Sequence, residues 1–261
     1  MSLLHSFYCW GHVAVIVLST LYFHFVGIQH WWILSCLWAA VPFFNIFYFA
    51  RVPIRTLEED VPEGETLTPG GLLKKPLFWL LVIMMICSGA GEQAMSQWAS
   101  AFAEAGLGVS KTMGDLAVPG LFAILMGTAR FLSAKLTRRF SLTVIMTASC
   151  ILCGICYITA ALSPSPILSL ICCGLCGFSV GIFWPGTFSL SAVTLRGGGT
   201  AMFALLALAG DLGCMGGPAV VGLCTEALAG GSLKGGMLFG LIFPAGLLTG
   251  LWILSRSRAK R

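Results

Sequence analysis

The stretch LLVIMMICSGAGEQAMSQWASAF, residues 80–102, is apolar except for one short strip. That strip holds a carboxylate, Glu92, with Gln93, Ser96 and Gln97 beside it. A carboxylate in hydrocarbon costs between about 2.5 and well over 10 kcal/mol, so something has to offset it. What can do so depends on the solvent of the surrounding chain. Hydrophobic residues make up 57% of the 261 residues and charged residues only 10%, with mean hydropathy +0.93. A water-soluble domain carries about 25% charged residues. A chain this poor in charge cannot cover a water-facing surface, so the bilayer is its solvent. The net charge of +5 is then a matter of topology and does not point to nucleic acid.

A membrane-crossing helix needs about 20 mostly apolar residues. Eight stretches meet that length: 3–26, 31–54, 76–103, 115–136, 141–162, 166–193, 200–228 and 235–255. Glycines, prolines and charges punctuate them, among them SPSP at 163–166, RGGG at 196–199 and GGSLKGG at 230–236. Basic residues fall on alternate sides. Arg51, Arg55, Lys74, Lys75, Lys135, Arg138, Arg139, Arg196, Arg256, Arg258, Lys260 and Arg261 share one side; only Lys111 and Lys234 lie on the other. The positive-inside rule predicts a multi-pass protein of the plasma membrane with both termini in the cytoplasm. The first span lacks a preceding basic residue and is too long for a signal peptide. Residues 55–75 hold half of the ten acids and read as a cytoplasmic linker between residues 1–54 and 76–255, with 256–261 a basic tail.

The eleven cysteines lie almost entirely in apolar runs and without paired zinc-knuckle spacing. They read as small packing residues. No metal site, cofactor or disulfide is expected.

Spans one and seven open alike, MSLLHSFYCWG and TAMFALLALAG, at an offset of six spans. That is the offset between equivalent helices in a transporter built from two six-helix halves. Four further pieces carry a resemblance: LLHSFYCWG at 3–11, MGTARFLSAKLTRRF at 126–140, GLCGFSVGIFWPGTFSLSA at 174–192 and GDLGCMGGPAVVG at 210–222. Together they resemble helices five to twelve of a twelve-helix major facilitator superfamily transporter, in its fucose-permease-like sugar branch. The resemblance implies an all-α integral membrane fold, with two helices of the N-terminal bundle and a complete six-helix C-terminal bundle. The basic loop lacks the usual Asp, with Thr137 and Arg138 near its place. The first four helices of the family have no counterpart. They are expected either to come from another chain or to leave a truncated product that is inactive alone.

Span three is two-faced. At about 100° per residue, Ser96, Gln93 and Gln97 lie within about 140° of Glu92, and the opposite arc is apolar. A polar face in lipid turns inward, toward a cavity or another helix. Amides both donate and accept, which suits adjacent hydroxyls of a sugar-like solute; their duller role is to glue helices together. Glu92, Gln93, Ser96, Gln97 and Trp184 are the candidate solute-binding residues, Trp184 as a surface for a sugar ring. Glu92, Asp211 and Arg130 are the candidates for coupling or gating. Asp211 reads equally as a local cap among glycines. Arg130 pairs with an acid or snorkels about four residues to the interface, and snorkelling or a loop contact is favoured. Pro185 cannot donate to Gly181, so a bend is expected there, with Gly177 and Gly181 allowing close helix approach. Pro218 marks a second bend. In span one, His5, Tyr8, His12 and Ser19 share a face.

An enzyme is not expected. No HExxH motif is present and the two deep acids are on separate spans. The expected function is secondary transport of a small polar, sugar-like solute by alternating access, with proton coupling through Glu92 or Asp211. The competing reading is an efflux antiporter for lipophilic compounds. Such pumps carry a Gly-Pro-rich fifth helix, and WGHVAVIVLST at 10–20 has none.

Overall fold

The computed structural model describes residues 2–53, 67–106, 108 and 110–259. Among them there are helices and connecting turns and no strand. Eight helical segments are long and apolar enough to cross a membrane: His5–Val26, Ile28–Phe49, Pro76–Glu104, Leu116–Leu136, Leu142–Leu162, Pro166–Thr194, Gly199–Ala227 and Leu233–Ser257. They correspond one to one with the expected spans. The protein is an all-α, multi-pass membrane protein.

In chain order the helices are α1 (Ser2–Val26), α2 (Trp31–Phe49), α3 (Pro69–Leu73), α4 (Pro76–Ala101), α5 (Lys111–Leu136), α6 (Leu142–Leu162), α7 (Pro166–Val180), α8 (Phe183–Thr194), α9 (Gly199–Ala227), α10 (Leu233–Leu238) and α11 (Ile242–Ala259). Two of the spans are each made from two helices. Span six breaks between α7 and α8 at Gly181–Ile182, four residues before Pro185. Span eight breaks between α10 and α11 through a 3-10 turn at Phe239–Leu241, just before Pro244. Proline supplies no N–H to the carbonyl four residues back, so each break sits where that bond is missing. The span-eight break was not anticipated. Pro218 behaves otherwise: α9 continues as helix on both sides of it.

The expected linker is not wholly solvated. Residues 54–66 lie outside the described residues, but the rest folds onto the bundle. Thr68 caps α3 by accepting from the Gly71 N–H, Leu72 is fully buried, and the Leu67 N–H donates to the Gly197 carbonyl at 2.7 Å. An apolar side chain at 72 anchors what the charge of the segment suggested would float.

α4 is the central post. It packs along α9 and also touches α5, α7, α8 and α11. Glycines make the α4–α9 contact: a Cβ on Gly213 would strike the Ile86 carbonyl, and one on Gly217 would lie 2.5 Å from the Ala90 carbonyl. Without a hydrophobic drive between helices in lipid, such backbone contact is what holds them. Gly177 and Gly181 do the same for α7 against α5, facing Phe122 and Met126. The cysteines of α6 and α7 pack between those two helices, with Cys153 and Cys176 Sγ atoms 3.8 Å apart. α1 packs on α5 through Cys9 and Gly127, whereas α2 is almost entirely exposed.

Candidate functional site: a polar cavity around a three-way arginine

Glu92 projects from the middle of α4 and is 4% exposed. Its Oε2 accepts from Arg130 Nη2 at 3.0 Å. Arg130, on α5, is 2% exposed. It does not snorkel. Its guanidinium turns inward because three acceptors surround it. Besides Glu92, Nη1 donates to the His5 carbonyl of α1 at 2.9 Å, and Nε donates to the Gly181 carbonyl at 3.1 Å. The Tyr8 ring lies 5.6 Å from its Cζ. One side chain therefore ties α1, α4 and the break in span six together. A buried ion pair lasts only when its donors find partners, and here each guanidinium nitrogen has an acceptor.

The Gly181 carbonyl follows from the sequence. It is the acceptor that Pro185 deprives of a helical donor. Arg130 Nε takes that place, which joins two features of separate spans into one.

Beside the pair is a cavity of about 330 Å³. His5, Tyr8, Glu92, Gln93, Arg130, Trp184, Asp211 and Cys214 line it. Trp184 is half-buried, with its indole against Gly210, where a Cβ would come within 2.5 Å of Cη2. Phe188 lies behind it, tilted, at 6.0 Å, and stacks on the His5 ring on another side at 6.2 Å. Asp211 is exposed and has no ion-pair partner among the described residues. The cavity therefore holds one neutralised carboxylate and one free carboxylate.

Two of the five candidate binding residues are elsewhere. Ser96 and Gln97 do not line the cavity, and Gln97 is exposed. Ser96 shares Glu92's face but sits one turn on, about 6 Å along the axis. The helical wheel gives direction and not depth. At their level α4 is pinned to α9 by the Trp98 Nε1 donor to the Pro218 carbonyl at 2.9 Å. His5 and Tyr8, read from sequence as a polar stripe, are part of the lining. Cys214 was missed; its signal was its place three residues after Asp211, on the same face of α9.

A family model described as Major Facilitator Superfamily matches residues 1–218. The chain belongs to the major facilitator superfamily. No curated protein and no solved structure matches it. The matched span contains every lining residue of the cavity, from His5 to Cys214. The superfamily is one of secondary transporters, whose helices cross a membrane. A cavity between helix bundles, lined by a few polar groups, is where such a protein holds solute. Among the described residues no group of three His, Cys, Asp or Glu is arranged to hold a metal ion.

Proposed function

We propose that the cavity between α1, α4, α5, α8 and α9 is the solute site of a transporter working by alternating access. The observation that carries this reading is the convergence of Gln93, Asp211 and Trp184 on a single void beside the Glu92–Arg130 pair. The void lies at the small end of ligand pockets, which run from about 300 to 1,000 Å³. That size suits a small polar molecule. A sugar-like solute matches an amide and a carboxylate that can accept from hydroxyls, with an indole face for its apolar side. In this reading the transporter belongs to the fucose-permease-like branch and works in the direction of uptake. The Glu92–Arg130 pair is the coupling element: a proton on Glu92 removes the charge that Arg130 faces, and the three-way tie to α1 and span six loosens.

A second reading has its own observation. The free carboxylate of Asp211 beside Trp184 and Tyr8 suits a lipophilic cation, and hence an efflux antiporter. Equilibrium binding to the purified chain in detergent separates the two. Neutral hexoses and polyols, then lipophilic quaternary amines, are titrated against the wild type and Asp211→Asn. Sugar binding that survives Asp211→Asn within a few-fold supports the first reading. Amine binding that Asp211→Asn abolishes supports the second. Binding of neither class, in wild type, contradicts the assignment of the cavity.

A further inference from the structure

A second void lies far from the polar cavity, at the end of the bundle where α4 begins and α8 and α11 finish. It is a groove of about 530 Å³ whose walls include Leu77, Leu80, Val193, Ile253 and Leu254. It runs into a smaller hollow of about 330 Å³, and the two share Pro76, Leu77 and Thr194. The hollow is edged by Lys75 and Arg196. Among the described residues no acid lines either void. Lys75 and Arg196 are both exposed, and neither is paired with an acid among the described residues.

The two halves differ in chemistry along one direction. From Lys75 to Leu80 the helix rises about 7.5 Å, roughly the depth from a headgroup to the upper acyl chain. The apolar half opens onto the lipid-facing side of the bundle: Val193 is 64% exposed, Ile83 53% and Trp79 50%. The basic half sits where the chain leaves the apolar spans, on the side carrying most of the Lys and Arg. An occupant must therefore be greasy at one end and anionic at the other, and must enter from the bilayer.

We infer that this groove is a binding site for one anionic phospholipid, its acyl chain along Leu77, Leu80 and Val193 and its phosphate between Lys75 and Arg196. Basic residues at a membrane surface attract anionic headgroups, and two acting together give a preference of about tenfold or more over a zwitterionic lipid. The site bridges α4, the post that carries Glu92, and α8, the second half of the broken span. Lipid bound there ties the far ends of the two elements that the Arg130 hub ties at mid-membrane.

The test is native mass spectrometry of the full chain in detergent, titrated separately with phosphatidylglycerol, phosphatidylcholine and tail-less glycerol phosphate. The wild type is expected to retain one phosphatidylglycerol with about tenfold preference over phosphatidylcholine, and glycerol phosphate is expected not to displace it. Lys75→Gln with Arg196→Gln, both exposed and so tolerated by the fold, should abolish the preference. Val193→Trp, which fills the groove from an exposed position and keeps both charges, should cut retention. Equal retention of the two lipids by wild type overturns the inference. So does an undiminished preference in the double variant, full retention in Val193→Trp, or displacement by glycerol phosphate, which would mark a plain anion site.

Discussion

Arg130 Nε donates to the carbonyl of Gly181, the acceptor that Pro185 leaves without a partner. The same guanidinium holds Glu92 at 3.0 Å. The charge in α4 and the break in span six are thus two ends of one side chain. A change in the state of Glu92 reaches the break without passing through a chain of packed residues.

Removing the cation should therefore cost more than removing a surface charge. Arg130→Met leaves Glu92 buried and unpaired, an expected loss of about 3–5 kcal/mol. Denaturant unfolding in detergent measures it. Combining Arg130→Met with Glu92→Gln should restore a large part of the loss, because no unpaired charge remains. Arg130→Lys keeps the charge but not the fork that reaches three acceptors, and should fall between the two.

Pro185→Ala gives position 185 an N–H that can reach the Gly181 carbonyl. The helix should close across residues 181–185, and amide exchange there should slow by about tenfold or more. Arg130 Nε then loses an acceptor. If exchange in this segment is unchanged, the break is not held open by the missing proline donor.

Gly213→Ala places a methyl against the Ile86 carbonyl, where backbones touch. Overpacking of this kind costs about 1–3 kcal/mol. Gly216→Ala, three residues away and facing open space, should cost little. The difference between the two, measured in one detergent, tests whether α4 and α9 pack by backbone contact.

The eight spans were legible because each needs only length and apolarity, and lipid permits little else. The polar strip of α4 was legible in direction: Glu92 and Gln93 reach the cavity. It misled in depth, since Ser96 and Gln97 lie a turn past it. Arg130 was misread because snorkelling distance is visible in one sequence, whereas the acceptors that hold it inside come from three separate segments. The Gly181 acceptor was in fact implied by Pro185, but nothing local says which residue will fill the vacancy.

Topology is testable without solute. Single cysteines at Thr137 and Ser232, both exposed, should label from opposite faces of sealed vesicles, with Thr137 on the cytoplasmic side. Labelling of both from one face would contradict the count of basic residues.

The account rests most directly on solute entering the cavity beside Glu92 and Arg130. Cys214 is a natural reporter, being half-buried in its wall. The measurement is its alkylation rate by a small water-soluble maleimide, with Cys36, Cys87 and Cys224 replaced by serine, in the absence and presence of the solute found by binding. The account predicts that Cys214 reacts and that saturating solute slows it by about tenfold or more, since ligand pockets bury most of the ligand against their walls. A Cys214 that never reacts from water, or that reacts at the same rate with solute bound, would contradict it.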